Sequence, residues 1–171
     1  MPHIHDAIDF TVAAYIVHAD KVLLVHHKQL DKWLPVGGHI ELNEDPEQAL
    51  YREIEEETGL TRGQIAVLSE KPARLSDTTE FLLTPRYLDI HRISDSHRHI
   101  GMVYIVQSKT VKVRLAIEEH REARWFDQNE LHFDEFGFLP EVRWYAEQAL
   151  KMGEHEESFM KYSHGAQTVL E

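Results

Sequence analysis

GGHIELNEDPEQALYREIEEETGL, residues 37–60, is the stretch whose reading decides the fold. Eight of its 24 residues are carboxylates: Glu41, Glu44, Asp45, Glu47, Glu53, Glu55, Glu56 and Glu57. Like charges this dense on one short element repel, so the run is costly unless something positive sits among them. Its second half reads as a helix with both ends marked. Asp45 suits the N-cap, Pro46 the first helical position, and Gln48 stands where a capping box requires it. Gly59 supplies the stop and Leu60 the apolar contact that often follows one. At about 100° per residue, Glu53, Glu56 and Glu57 share one arc, and Glu55 points nearly the opposite way. Leu50, Tyr51 and Ile54 form an apolar stripe beside the acids. One edge of the helix is expected to pack, while the neighbouring edge presents three acids to one point. Carboxylates converging before a glycine pair suit a hard divalent cation such as Mg²⁺, which takes oxygen ligands. The competing reading is an ordinary solvated acidic helix.

The spacing favours the first reading. Gly38, five residues, Glu44, seven residues, Arg52-Glu53-Ile54, one residue, Glu56-Glu57, one residue and Gly59-Leu60 resembles the Nudix box at all nine constrained positions. Resemblance to the Nudix hydrolases implies an α/β fold, an α/β/α sandwich with a mixed β-sheet between helices. The box would form a loop-helix-loop over one end of it. The resemblance also implies an enzyme, a Mg²⁺-dependent hydrolase for which Mn²⁺ can substitute. Its substrate would be a nucleoside diphosphate linked to another moiety X, cleaved at a phosphoanhydride. By the family pattern, Glu56 and Glu57 are metal ligands, and Glu53 is a third ligand or the base. A main-chain carbonyl at the glycine pair, taken here as Gly37, joins them. Arg52 resembles the arginine that holds a neighbouring glutamate by a bidentate pair, and Glu44 orients that arginine. Residues 118–126, EEHREARWF, resemble the family's later glutamate loop. They nominate Glu119 first and Glu122 second as a further carboxylate, with a solvated acidic loop as the alternative. There are two departures. Val36 stands where many members have proline, and Asn43 where many have glycine, although asparagine tolerates left-handed backbone.

The 171 residues suffice for one domain, expected over residues 1–153, with a tail at 154–171 that is either mobile or interface-forming. The chain has no cysteine, which excludes disulfides, thiolate zinc sites and cysteine nucleophiles. That argues against a prenyl diphosphate isomerase on the same fold, whose chemistry typically employs a cysteine. A net charge of −12 disfavours a long nucleic-acid track. It leaves open a small nucleotide whose phosphates are neutralised by metal. No apolar run approaches the roughly 20 residues of a membrane helix, and the start carries no signal core. The expectation is a soluble, cytoplasmic protein without membrane contact, compatible with a homodimer. A non-catalytic nucleotide-binding or sensor module on the same fold is the alternative; retention of Arg52, Glu53, Glu56 and Glu57 argues against it.

Elsewhere, residues 10–17 read as a central strand buried on both faces. Further strands are expected at 22–25, 39–42, 64–68, 87–93, 101–107, 111–115 and 122–126. Asp127 and Glu130 form a capping pair for a short helix. A helix over residues 139–152 would end before Gly153. Residues 71–86 read as an irregular excursion. With 28–33 and 94–100 they are the segments expected to set specificity. Trp33 and Tyr104 read as core or as base-stacking aromatics, and His39 as a substrate contact or a packed strand residue. Among 13 histidines, His3/His5 and His97/His99 are i,i+2 pairs able in principle to bind zinc. Lying far apart and without cysteine support, they read first as ordinary histidines.

Overall fold

The computed structural model describes residues 4–71 and 78–165, with side chains as far as Glu154. Among the described residues, eight strands form one mixed sheet. They are β1 (Ile8–His18), β2 (Lys21–His27), β3 (Lys32–Leu34), β4 (Val36–His39), β5 (Ile65–Val67), β6 (Tyr87–Arg92), β7 (Arg98–Ser108) and β8 (His120–Asp127). Parallel β1 and β7 form its centre, in register from Ile8↔Arg98 to Val17↔Gln107. Along its other edge, β1 pairs antiparallel with β4 over its first half and with β2 over its second. β5 and β6 pair antiparallel with β7, and β3 and β8 with β2.

The unbroken apolar runs of β1 and β7 follow from burial on both faces. Tyr15, Val17, Val103 and Ile105 enter one core, covered by helix α2 (Pro140–Gly165) through Val142, Ala146, Ala149 and Leu150. Val12, Ala14, Ile16, Tyr104 and Val106 enter the other, covered by helix α1 (Pro46–Thr58) through Ala49, Leu50 and Ile54. The result is the expected helix–sheet–helix sandwich. Trp33 and Tyr104 are core residues, 6% and 1% exposed, which settles their reading against base stacking.

Several sequence expectations are corrected. The strand expected at 39–42 lies earlier, as β4, because its backbone pairs with β1 from Thr11↔His39 to Ala14↔Val36. Residues 111–115 form no strand. Arg114 N–H donates to Thr58 O at 2.7 Å and Ala116 N–H to Glu57 O at 3.1 Å, so the segment serves the last carbonyls of α1 instead. Helix α2 runs through Gly153 rather than ending before it. A Cβ at that position would lie 3.0 Å from Val17 Cγ2, so the glycine lets the helix lie close on β1. The Asp127/Glu130 pair is reciprocal, with both bonds 3.0 Å, but it closes the turn ahead of a single 3₁₀ turn, Glu130–His132, whose N-cap is Asn129. Asn43 is not left-handed; among the described residues, the non-glycine positions with positive φ are Ala19 and Asp31. Of the excursion expected at 71–86, residues 72–77 lie outside the described residues.

Candidate active site

The box helix forms in the register its ends dictate. Asp45 Oδ1 accepts from Glu47 N–H at 2.8 Å and Gln48 N–H at 2.9 Å, and Gln48 Oε1 accepts from Asp45 N–H at 2.9 Å. Gly59 closes the helix at φ 69°. Leu50 and Ile54 are fully buried, and Tyr51 packs beneath the Arg62 guanidinium, 3.9 Å from its ring centre. With that stripe seated, Glu53 and Glu57 turn inward, while Glu55 and Glu56 stay exposed.

Two glycines bring the preceding loop onto these acids. Gly37 has φ +148°, and a Cβ there would fall 2.1 Å from Val12 O, so only glycine fits. A Cβ on Gly38 would fall 2.3 Å from Glu53 Oε1. The loop consequently lies against the helix, and Gly37 N–H donates to Glu57 Oε2 at 3.2 Å.

Arg52 is the positive group that the acid run requires. It grips Glu44 by two bonds, Nη2 to Oε1 at 2.5 Å and Nε to Oε2 at 3.0 Å. Nη1 reaches Glu53 Oε1 at 2.8 Å and Glu56 Oε2 at 3.1 Å, and Nη2 also donates to His39 O at 3.0 Å. The bonds from Arg52 hold the Glu44 carboxyl below its ordinary range. Glu53 is pushed up to about 7. Burial is the main cause; Arg52 opposes it, and the Glu57 and Glu56 charges add to it. Glu57, 4% exposed, is likewise raised by burial, against the hydrogen bond from His120.

Residues 111–116, strapped to the end of α1, deliver the next carboxylates. Glu118 and Glu119 line an open cleft of about 330 Å³ with Gly37, Arg52, Glu53 and Glu56. Lys28 N–H donates to Glu119 O at 2.9 Å and fixes the loop to the end of β2. Donor atoms of Glu57, Glu119 and His120 lie within 4.8 Å of one another. Glu122 instead lies exposed on β8, opposite His26, and does not line the cleft. His39 turns its ring towards Asp9, 3.2 Å from Nε2 to Oδ2, and offers the site its carbonyl.

Two histidines escaped the sequence reading. His120 is 2% exposed, with Nε2 3.0 Å from Glu57 Oε1. His27 lines the cleft, its ring centre 5.6 Å from that of His120. Burial and the His120 charge lower the His27 pKa. No local pattern marks either residue; His120 was adjacent to the nominated Glu119, and only its contact with Glu57 reveals it.

The donors gathered around the cleft are predominantly carboxylate oxygens, a set that fits a hard divalent cation. A NUDIX domain model matches residues 9–157. A NUDIX-family hydrolase from Clostridium perfringens is 31% identical, with TM-score 0.72 over 84% of this chain and 97% of that one. An Ap4A hydrolase of C. elegans is 17% identical, with TM-score 0.60 over 88% and 98% of the two chains. The NUDIX domain of Shewanella oneidensis NrtR, solved with ADP ribose, is 18% identical, with TM-score 0.62 over 86% and 90%. No curated protein sequence matches significantly. The chain belongs to the NUDIX family. Within that family it is a Nudix-type pyrophosphohydrolase, acting on acid anhydrides.

Proposed function

We propose that the protein is a Mg²⁺-dependent hydrolase of a small nucleotide, a nucleoside diphosphate linked to another moiety X. The observation that carries this reading is the cleft lined by Glu53, Glu56, Glu119 and Arg52, with Glu57 bonded to its lining residue Gly37 and within 4.8 Å of Glu119. Glu53, Glu56, Glu57, Glu119 and the Gly37 backbone would hold the cation. When bound, it would neutralise phosphate charge and acidify water. Arg52 and Glu44 set the position of Glu53, because one guanidinium bonds both acids. Where Glu53 serves as the base rather than as a ligand, its carboxylate would accept the proton of the attacking water. Water adds to one phosphorus of the bridge, the bond to the bridging oxygen breaks, and the leaving phosphate takes up the charge.

The charge of −12 and the absence of a basic run support a small substrate over a long nucleic acid. Among the described residues no helix is long and apolar enough to cross a membrane. Ap4A and ADP ribose, each associated with one of the structural neighbours, belong in the test set. The experiment is a panel of nucleoside triphosphates, ADP-ribose, dinucleoside polyphosphates and nucleotide sugars, with Mg²⁺ and Mn²⁺ and products resolved. Metal-dependent release of a nucleotide from at least one class is expected. Tight binding without turnover across the panel would instead support the nucleotide-sensor alternative.

A further inference from the structure

A second constellation lies outside the cleft, where β4, β1 and β7 run side by side. Asp9 at the start of β1 is fully buried and stands opposite His99 in the β1/β7 register. His39 closes β4, and its ring centre is 4.8 Å from that of His99. Donor atoms of Asp9, His39 and His99 all lie within 4.8 Å of one another. We propose that these three residues form a second metal site, suited to a borderline ion such as Zn²⁺ rather than to Mg²⁺ and distinct from the carboxylate site on α1.

The geometry and the surroundings both support this. Zinc bonds of 2.0–2.1 Å in a tetrahedron place neighbouring ligand atoms about 3.3 Å apart. His39 Nε2 is already 3.2 Å from Asp9 Oδ2, and a ligand atom of His99 lies within 4.8 Å of both side chains. Backbone donors fix the carboxylate in place. Ile4 N–H donates to Oδ2 at 3.1 Å and His5 N–H to Oδ1 at 2.6 Å. His97, 4% exposed, places Nδ1 3.2 Å from Asp6 O and Nε2 3.3 Å from Asp9 Oδ2. Its Nδ1–H therefore donates to a carbonyl, which holds the ring against the Asp9 carboxylate. Two imidazoles with one carboxylate suit zinc, cobalt and other first-row divalent ions, whereas Mg²⁺ prefers oxygen donors. An ion here would staple three strands, and the carbonyl of its ligand His39 already carries Arg52. It would thereby brace the frame of the box without entering the cleft.

The test adds Zn²⁺ or Co²⁺ in excess Mg²⁺ to wild type, Glu57→Gln, His99→Gln and Asp9→Asn. Equilibrium affinity, thermal unfolding and the visible spectrum of Co²⁺ are read. Wild type and Glu57→Gln should each bind one tight equivalent, gain thermal stability and show the absorption of a low-coordinate, nitrogen-ligated cobalt. His99→Gln should weaken binding at least about tenfold and lose that spectrum. Asp9 is buried, so if Asp9→Asn does not fold, the half-buried His99 decides the matter alone. No tight zinc, unchanged affinity in His99→Gln, or loss only in Glu57→Gln would overturn the proposal.

Discussion

Glu53 is a carboxylate whose protonation is tied to the fold. Burial lifts it from its ordinary 4.5 to about 7, so the native state binds a proton more tightly than the unfolded chain. Its contribution to stability is complete below about pH 4.5 and is lost as pH rises through 7. The difference corresponds to something on the order of 3 kcal/mol. Glu57, raised in the same direction, adds to the trend. His27 and His99 oppose it, because burial lowers both and favours their neutral forms as pH rises. Comparison with Glu53→Gln cancels those opposing terms. Without metal, the melting temperature of wild type relative to Glu53→Gln should fall between pH 5 and 8. A divalent cation should abolish that fall. A pH-independent difference would show that the Glu53 carboxyl is ordinary.

At the next scale, elements whose signals are local were legible and those made by distant partners were not. The box helix was readable because Asp45, Pro46, Gln48 and Gly59 mark its ends and its stripe fixes its face. β1 and β7 were readable because burial on both faces leaves continuous apolar runs. Residues 111–115 alternate as a strand does, yet the carbonyls at the end of α1 claim their donors. No local pattern could show that competition. The same strap favours Glu119 of the two nominated loop acids, since it puts Glu119 in the cleft while Glu122 stays on β8. Glu119→Gln should therefore lower turnover and weaken activation by Mg²⁺, leaving the melting temperature nearly unchanged. Glu122→Gln should behave as wild type; the reverse pattern would transfer the role to Glu122. Among the candidate site residues, the acids and Arg52 were readable from spacing. His120 and the Asp9–His39–His99 cluster needed three-dimensional pairing, because their members are remote in sequence. The cause of the raised Glu53 was also only partly legible: spacing suggests repulsion among three acids, but burial outweighs it.

For the molecule as a whole, the sheet carries the Gly37 loop on one strand, receives α1 on one face and returns the Glu119 loop across the helix end. The proposed activity thus requires one face of α1 to be met by two other segments. Glu57 is the junction, bonded to Gly37 and His120. Glu55, exposed and turned away, shares its chemistry and almost its sequence position. The decisive measurement is Mg²⁺-dependent hydrolysis, with metal-free thermal unfolding alongside, for wild type, Glu57→Gln and Glu55→Gln. Glu57→Gln should lose at least about 100-fold in turnover, roughly 3 kcal/mol of barrier, while its metal-free melting temperature holds or rises slightly as a buried charge is removed. Glu55→Gln should match wild type in both. Full activity in Glu57→Gln, or equal losses in the two variants, would contradict the assignment of the catalytic face.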